Sequence, residues 1–349
     1  MPAIMCEPDL PKDWISKMSQ KHNKIYYFNI VTGETSWKFP TIETCSPKKC
    51  DTGKRSIDEV LKGSNDEKVA LKKKSSEEIP SKVEVAVIVP YRDLHVEQKR
   101  KLHLDRFIPE ITNFLLQSNK SFRIYIVEQS DDNRKFNRGK LLNIGYELAK
   151  RDGCEIFTFH DVDLIPSKEL LKYYTTKPMK DNPVHIARVW DRYSGNQSYF
   201  GGIVTFSTEQ YENINGYPNN FWGWGGEDDE LYKRTKKLNY KIISPTEGSI
   251  IDLEEMTLND KLNFLREHKV WKCMNKVEVL AEHESTWSEN GLCNLSYKEL
   301  SSTALNDYAV MIKVDVSLNG HWSDYVCDQS NRQLELSVND LKQKMLEKK

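Results

Sequence analysis

Three apolar, β-branched runs alternate with two stretches of helical spacing, and this alternation constrains the fold more than any other feature of the chain. The strand-like runs cover residues 83–89, 122–127 and 155–159. Helical spacing is present at 94–117, with an expected interruption near Pro109, and at 139–149. Near-continuous apolar strands are typical of a sheet that is buried on both faces. The pattern therefore predicts right-handed βαβ units and an α/β domain with a mostly parallel central sheet.

Polar and charged residues follow each of the three strand-like runs. They occupy positions 90–93, 128–130 and 160–163. The carboxyl ends of parallel strands meet at one edge of a sheet, and ligands of such sheets bind there. The sequence therefore predicts a ligand site at this edge.

Two aspartates at the end of the third run, Asp161 and Asp163, are separated by one residue. Alternate residues of an extended chain face the same side, so these two carboxylates would converge and repel each other. A divalent cation that prefers oxygen ligands, Mn²⁺ or Mg²⁺, would relieve that repulsion and could bridge a diphosphate. The alternative is a surface loop in which the pattern has no function.

The stretch 221–230 reads Phe-Trp-Gly-Trp-Gly-Gly-Glu-Asp-Asp-Glu. Four consecutive acidic side chains repel one another, and three nearby glycines weaken regular backbone order. Such a conflict of local rules is expected where a site is built. The alternative is a glycine turn followed by the acidic first turn of a helix, which the helix dipole favours. That alternative explains the acids but not the paired tryptophans.

Composition excludes several classes of protein. The chain has 349 residues and a net charge of −1, so it carries no strong field for nucleic acid or a membrane surface. No apolar run approaches transmembrane length, and residues 1–10 lack the features of a signal peptide. Seven cysteines without zinc-type spacing favour free thiols in a reducing compartment. These features predict a cytoplasmic protein.

Residues 10–40 form a separate pattern, in which aromatic and β-branched residues alternate between turn signals. This pattern predicts a small antiparallel sheet of three short strands. From residue 41 to 81 the aromatics disappear, and lysines alternate with serines and acidic residues. Such a segment cannot bury enough apolar surface to fold, so we expect a flexible tether, with a nuclear-import signal as the alternative interpretation of its basic runs.

The N-terminal pattern resembles the WW domain. The resemblance rests on two tryptophans, the Tyr-Tyr-Phe-Asn strand at 26–29 and a closing proline. It implies that Trp14 and Pro40 form a structural buckle. It also implies a groove for proline-rich, polyproline II peptides that is formed by Tyr26, Thr35 and Trp37. Ile30 stands where many WW domains carry a histidine that contacts the ligand, so the class of proline ligand stays open.

The region from residue 83 to 317 resembles the β-1,4-galactosyltransferases, which are inverting, nucleotide-sugar-dependent enzymes with the GT-A fold. Besides the stretch 221–230, the matching segments are 89–92, 136–143, 161–166, 199–202 and 215–220. Several independent motifs in one order make this resemblance specific. His160 before Asp161, and Glu230 at the end of the acidic stretch, favour the branch that galactosylates xylose on proteoglycan linkers.

The resemblance implies roles for individual residues. The donor UDP-galactose would be held by Pro90, Tyr91, Arg92, Phe136, Arg138, Asp161, Tyr199 and Trp224. The sugar acceptor would be held by Trp224, Gly225, Gly226, Glu227, Asp228 and Asp229. Asp228 would act as the general base, in a cleft that raises its pKa. Trp224 would lie on a mobile loop with glycine hinges, and Asp163 would ligate Mn²⁺.

One departure from the family concerns the metal. The family supplies further ligands from a segment with histidine, but residues 248–260 contain none. Further ligands would then come either from Asp252 and Glu254 or from Thr257 and Asn259 with Asp260, and oxygen ligands would shift the preference toward Mg²⁺. The alternative is a degraded metal site. His268 and His283 are expected to be packing or surface residues.

These patterns predict four segments: a WW-like domain at 8–41, a charged linker at 42–81, a GT-A domain at 82–328 and a C-terminal tail at 329–349. The predicted function is β-1,4-linked transfer of galactose to a glycan or a glycosylated protein, by an enzyme whose WW module binds proline-rich partners. The competing hypothesis is a non-catalytic adaptor that binds nucleotide sugar or glycan through a degenerate glycosyltransferase body.

Overall fold

The computed structural model describes residues 14–19, 24–29, 35–38, 83–320, 322–328 and 338–347. The chain divides into two units, Met1–Lys73 and Lys74–Lys349. Pro40 and the predicted linker at 42–81 lie outside the described ranges. Each of the predicted boundaries, at 41/42, 81/82 and 328/329, includes at least one residue that is not described.

The first unit contains an antiparallel sheet of three described strands. They are β1 (Trp14–Ser19), β2 (Lys24–Asn29) and β3 (Thr35–Ser36), in the order β1-β2-β3. Trp14 lies opposite Asn29, and Phe28 lies opposite Thr35. The predicted three-stranded antiparallel module is therefore confirmed. Trp37, directly after β3, is 57% exposed.

The second unit is built on a seven-stranded sheet. Its strands are β4 (Val85–Tyr91), β5 (Phe122–Gln129), β6 (Ile156–His160), β8 (Val184–His185), β9 (Ile203–Ser207), β11 (Tyr297–Ala304) and β12 (Ala309–Val316). The order across the sheet is β11-β12-β5-β4-β6-β9-β8. The four central strands, from β12 to β6, are parallel, and the outer strands pair antiparallel. The prediction of an α/β fold with a mostly parallel central sheet is confirmed.

The register brings the carboxyl ends of the central strands to one edge. Val85 is aligned with Phe122 on one side and with Ile156 on the other, so the three strands start at the same level. Every residue of β4 is buried, as its apolar run predicts. The segments that follow β4 and β6 therefore emerge side by side.

The second unit also contains ten described α-helices, the last two in its C-terminal region. They are α1 (Arg100–Leu115), α2 (Arg138–Arg151), α3 (Leu171–Thr175), α4 (Thr208–Asn213), α5 (Glu227–Lys237), α6 (Leu258–Glu267), α7 (Lys276–Ala281), α8 (His283–Thr286), α9 (Ser323–Val326) and α10 (Val338–Glu347). Helix α1 begins six residues later than the helical spacing predicts, after Lys99 in a left-handed conformation. The expected interruption at Pro109 is wrong, because α1 continues through it.

The sheet separates two hydrophobic cores. Side chains of successive residues in β4 alternate between its faces, so Ala86 and Ile88 belong to one core and Val85 and Val87 to the other. Helix α2 lies against the first face and approaches it closely: a Cβ atom on Gly145 would lie 2.3 Å from the Ile88 side chain. Helix α1 contributes apolar residues to the second core. The result is a three-layer arrangement that holds the ends of α1 and α2 beside the sheet edge.

A second, two-stranded sheet brings a distant segment to the end of β6. Strand β7 (Leu164–Pro166) pairs antiparallel with β10 (Ile250–Asp252). The pairing continues as a 2.8 Å hydrogen bond from the Leu253 amide to the Asp163 carbonyl. This pairing places residues 252–254 next to the second aspartate of the 161–163 motif.

Two further expectations concern the whole chain. Among the described residues, no helix is both long and apolar enough to cross a bilayer. Among the described residues, Cys154, Cys273 and Cys293 are free thiols.

Candidate active site

A cavity of about 290 Å³ opens at the carboxyl ends of β4 and β6. It collects residues that are far apart in the sequence. The sequence-predicted residues that line it are Pro90, Tyr91, Arg92, Phe136, Arg138, Asp161, Asp163, Tyr199, Trp224, Gly225, Gly226, Glu227, Asp228, Asp229 and Glu254. Three of the predicted metal candidates, Asp252, Asn259 and Asp260, do not line the cavity.

The acidic stretch supplies one wall of the cavity. Helix α5 begins at Glu227, so all four acidic residues lie in its first turn, as the helix-start interpretation requires. Glu227, Asp228 and Asp229 nevertheless line the cavity. Glu230 instead is buried between Arg234 and His283, at 2.9 and 2.8 Å. The two interpretations of this stretch are therefore compatible, because the same helical turn begins α5 and supplies three acidic side chains to the cavity.

The glycines before α5 all have positive φ angles, which explains why other residues are unsuitable there. They are +96° at Gly223, +102° at Gly225 and +109° at Gly226. A Cβ atom on Gly226 would also lie 2.3 Å from the Phe221 ring. Between these glycines, the Trp224 amide donates to the Trp271 carbonyl at 2.6 Å, and the Trp224 carbonyl accepts from Cys273 at 3.1 Å.

The two tryptophans of the stretch have different environments. Trp222 is fully buried in the first core, whereas the Trp224 side chain is 38% exposed in the cavity. The predicted mobility of the Trp224 loop stays a prediction, and its backbone bonds to 271–273 are the contacts that an opening motion would break.

Arg138, at the start of α2, connects the segment after β6 to the first turn of α5 across the cavity. Its Nε donates to Asp161 Oδ1 at 2.8 Å, and its Nη1 donates to Asp228 Oδ1 at 2.8 Å. Its Nη2 is buried and has no hydrogen-bond partner among the described residues. Oε2 of Glu227 is likewise buried and has no hydrogen-bond partner among the described residues. The other oxygen of this side chain, Oε1, lies 3.6 Å from Arg138 Nη1. Unsatisfied buried polar atoms in a cavity indicate that a ligand completes the hydrogen bonding.

The carboxyl group of Asp228 is partly enclosed, with 23% of its side chain exposed. Burial raises its pKa well above the usual 3.8, although the Arg138 guanidinium opposes that effect. Gly201 provides the space, since a Cβ atom at that position would lie 2.1 Å from Asp228 Oδ2. Burial also raises the pKa of Asp161 and Glu227.

Aromatic side chains form another part of the wall. Tyr199 stacks on Tyr193 with ring centroids 4.0 Å apart, and Trp190 meets Tyr193 edge to face at 5.2 Å. All three line the cavity. Aromatic faces of this kind are suited to contact the apolar faces of sugar rings, and the Tyr199 hydroxyl lies near Gly202 at the base of the wall.

Asp163, which the sequence analysis assigned to Mn²⁺, is paired with a guanidinium group. Its Oδ2 accepts from Arg100 Nη1 at 2.6 Å, and Nη2 of the same arginine donates to Glu254 Oε1 at 2.8 Å. Glu254 also binds Lys261 at 2.7 and 2.9 Å and Arg192 at 2.9 Å. Asp252 forms an ion pair with Arg192.

The residues present do not fit a divalent cation. Within the described ranges, no three His, Cys, Asp or Glu side chains lie close enough together to hold a metal ion. Of the candidates, Asp163, Asp252 and Glu254 are occupied by basic side chains. Asp260 instead caps α6 by accepting from the Thr257 hydroxyl at 2.6 Å, and Asn259 is exposed.

The histidines near the site have ordinary packing environments. His268 stacks on Trp271 with centroids 4.2 Å apart, and His283 contacts Glu230. His160, before the aspartate motif, is fully buried and contacts the Tyr174 hydroxyl at 2.8 Å. Burial lowers the pKa of His160 to about 4, so it is neutral at physiological pH.

Several cavity residues were not identified from the sequence. Arg100, Arg192 and Lys261 carry no local signal that distinguishes them from the other 48 of the chain's 51 lysines and arginines. Gly201 belongs to the motif 199–202, but only its distance to Asp228 shows what the missing side chain does. Glu254 was a sequence candidate for a metal ligand, and the pairing of β7 with β10 is what places it beside Asp163.

Comparison with sequence families agrees with this geometry. Residues 49–176 match the N-terminal region of glycosyl transferase group 7, and residues 182–257 match a family model described as the N-terminal domain of galactosyltransferase. Residues 10–40 match the WW domain. The chain is also 34% identical over 238 residues to human beta-1,4-galactosyltransferase 4, and 30% identical over 238 residues to bovine beta-1,4-galactosyltransferase 1.

A solved structure covers nearly the same domain. The catalytic domain of Drosophila beta1,4galactosyltransferase 7, in complex with xylobiose, aligns with a TM-score of 0.55 and 26% identity, over 69% of this chain and 98% of that one. A mutant of the same fly enzyme, in complex with manganese, UDP-Gal and xylobiose, aligns with the same score and 27% identity.

The mixed sheet and the cavity at its carboxyl edge define a glycosyltransferase domain of the GT-A type. The two family models match adjacent segments, 49–176 and 182–257, and the fly structure aligns over 69% of the chain. The large domain belongs to the β-1,4-galactosyltransferase family, and a WW domain precedes it in the sequence. The alignments span 66% of this chain and 63% of the human relative, and 67% of this chain and 54% of the bovine one.

Proposed function

We propose that the chain is an inverting glycosyltransferase that transfers galactose from UDP-galactose, in β-1,4 linkage, to a glycan or a glycosylated protein. The observation that carries this proposal is the 2.8 Å contact between Arg138 and Asp228, which joins the predicted donor half of the cavity to the predicted acceptor half. A cavity built from both halves is what a two-substrate transfer requires.

The donor half supports binding of a nucleoside diphosphate sugar. Tyr91 and Arg92 lie at the end of β4, and Arg92 lies over the Phe136 ring at 5.5 Å. Arg138 offers its unpaired Nη2, a fixed donor suited to a phosphate or ribose oxygen. Tyr199 would restrict the space around the sugar and favour galactose over its bulkier 2-acetamido analogue, as the family resemblance implies.

The acceptor half supports general-base chemistry. The ionised carboxylate of Asp228 takes the proton from an acceptor hydroxyl as that oxygen bonds to the anomeric carbon. The bond between the anomeric carbon and the phosphate oxygen breaks, and its electron pair leaves with UDP. Attack opposite the departing group inverts the anomeric configuration. Trp224, the Gly225–Gly226 backbone, Glu227 and Asp229 would position the acceptor sugar.

The test is release of UDP from UDP-galactose in the presence of acceptors. Xylosides, glucosides and N-acetylglucosaminides are assayed in parallel, with Mn²⁺ and with a chelator, and UDP-N-acetylgalactosamine serves as the donor control. We expect acceptor-stimulated release with at least one acceptor, and a preference for UDP-galactose. Absence of turnover with every acceptor, in both metal conditions, would reject the enzyme.

The second candidate function is a non-catalytic adaptor. It is supported by the pairing of Asp163 with Arg100, a position where the family resemblance implies a metal ligand. The adaptor predicts that UDP-galactose binds, as measured by calorimetry, while no UDP is released with any acceptor. The two candidates therefore differ in turnover and agree in binding.

We further propose that the WW domain binds proline-rich peptides through Tyr26, Thr35 and Trp37. The exposed indole of Trp37 supports this, because exposed aromatic rings form the grooves that grip proline. The test is fluorescence titration with a panel of proline-rich peptides. Trp37→Ala should abolish binding without changing transferase activity, and an unchanged peptide affinity would reject this site.

A further inference from the structure

Arg100 occupies a central place in the wall of the cavity. It is the first residue of α1, and its two terminal nitrogens bridge Asp163 and Glu254, at 2.6 and 2.8 Å. The Asp163 and Glu254 side chains are only 10% and 6% exposed, and Arg100 is 18% exposed. One guanidinium therefore lies between the two carboxylates that would have to converge on a metal ion.

The oxygens of Glu254 are already fully engaged. Oε1 accepts from Arg100 and Lys261, and Oε2 accepts from Arg192 and Lys261. Ligation of a cation by Glu254 would break at least one of these charge-assisted hydrogen bonds within a largely buried network of ion pairs. The donor set does not favour that exchange.

The charges of this cluster also disfavour a divalent cation. The cluster holds three basic groups, on Arg100, Arg192 and Lys261, against the three carboxylates of Asp163, Asp252 and Glu254. It is thus neutral as it stands. A divalent cation would have to lie beside the Arg100 guanidinium, which already occupies the place between the two carboxylates and repels it, in surroundings mostly shielded from water.

The same basic groups belong to the wall of the cavity in which the proposed donor would bind. Arg100, Arg192 and Lys261 all line the cavity, together with Arg138. A guanidinium has five N–H donors; Arg100 gives two to the carboxylates, and its Nη1 also lies 3.4 Å from His103 Nδ1. Guanidinium N–H groups that remain free can donate charge-assisted hydrogen bonds to phosphate oxygens, and the unpaired Nη2 of Arg138 is such a group.

We propose that this glycosyltransferase holds the diphosphate of its donor with Arg100 and with the unpaired Nη2 of Arg138 and needs no divalent cation. The proposal rests on the proposed function, since it takes the donor to be a nucleoside diphosphate sugar. When the bond between the anomeric carbon and the phosphate oxygen breaks, the electron pair moves onto UDP. These fixed positive groups then stabilise the charge that a metal ion stabilises in other enzymes.

The experiment is calorimetric titration of the full chain with UDP and with uridine, in EDTA, in Mn²⁺ and in Mg²⁺. We expect the Kd for UDP to agree within about twofold among the three conditions, since a change of this size is under 0.5 kcal/mol. Arg100→Gln should weaken UDP binding on the order of tenfold or more, the effect of losing a charged hydrogen bond, and leave uridine binding unchanged. Arg106→Gln, an exposed change on the same helix, is the matched control and should behave as the parent protein.

The possible outcomes distinguish a failure of this inference from a failure of the proposed function on which it rests. UDP binding that appears only with Mn²⁺ or Mg²⁺ would overturn metal-free binding and leave the proposed transferase intact. Failure of UDP to bind in all three conditions would overturn the proposed donor, and this inference with it. Equal UDP affinity in Arg100→Gln and Arg106→Gln would remove Arg100 from the site. The metal comparison uses the unsubstituted protein, so it does not depend on whether a variant folds.

Discussion

Arg138 donates a 2.8 Å hydrogen bond from Nη1 to Asp228 and another from Nε to Asp161, directly after β6. One arginine at the start of α2 thereby fixes the first turn of α5 against the sheet edge. The Tyr217 hydroxyl also approaches the same Asp228 oxygen, at 3.5 Å. The carboxylate is held in one orientation, which general-base catalysis requires.

Replacement of Asp228 by Asn should abolish base catalysis and keep the fold. We expect transfer to fall by about 100-fold to 10,000-fold, the range typical of a lost general base. The Kd for UDP should change little, because the amide oxygen can still accept from Arg138. Steady-state kinetics and calorimetry measure the two effects. Asp105→Asn, on the exposed side of α1, is the control, and equal turnover in both variants would exclude Asp228 as the base.

A methyl group at position 201 should displace the Asp228 carboxylate. The Cβ of Gly201→Ala would lie 2.1 Å from Oδ2, so the carboxylate has to move. Misplacement of a catalytic group by about 1 Å lowers rates about 100-fold, and we expect a loss of that order in kcat. Gly195→Ala is the matched control, because nothing lies within 4 Å of its added Cβ. Full activity in Gly201→Ala would mean that this contact does not position the base.

The rate of transfer should depend on pH through Asp228. Burial raises the pKa of this carboxyl well above 3.8, so its ionised, basic form is lost at a higher pH than in an exposed aspartate. Transfer should therefore rise with pH up to that raised pKa and level off above it. A pH profile of kcat at saturating donor and acceptor measures this limb. A profile that rises around pH 3.8, the ordinary pKa of an aspartate, would contradict the enclosed environment of this carboxyl group.

Removal of the Arg100 side chain should create a metal site. In Arg100→Ala, Asp163 and Glu254 each lose one hydrogen bond and the positive charge between them, and two carboxylates then face each other. We expect Mn²⁺ alone to bind at least about tenfold more tightly, or about 1.4 kcal/mol, than to the parent protein. Titration followed by electron paramagnetic resonance measures it, with Arg106→Ala as control. Equal Mn²⁺ affinity in the variant and the parent would show that Arg100 does not compete with a metal.

Local patterns in the sequence were sufficient for three of the seven strands of the sheet, and the family resemblance supplied most of the cavity residues. The apolar run of β4 predicted a fully buried strand, and the polar segments after β4 and β6 predicted the edge where the cavity lies. Pro109 was misleading, because a single missing hydrogen bond in α1 is outweighed by the burial of Phe107 and Ile111 on either side of it.

The acidic stretch illustrates the limit of such patterns. Repulsion among Glu227–Glu230 indicated a site but could not separate the four acids. The structure separates them by burial and partner, with Asp228 on Arg138, Asp229 on Lys276 and Glu230 on Arg234. Arg138 lies on α2 and Lys276 on α7, whereas Arg234 lies on α5 itself. The partners of Asp228 and Asp229 could therefore be assigned only from the three-dimensional arrangement.

The sequence by itself determined the α/β class, the WW domain, the family and the edge of the sheet that carries the site, because these depend on residue types at short spacing. Tertiary structure decided what surrounds Asp163. The pairing of β7 with β10 and the start of α1 bring Glu254 and Arg100 to this aspartate from 91 and 63 residues away. A charge acts through space and independently of sequence distance, so the arginine that occupies the expected metal position could be recognised only once the chain was folded.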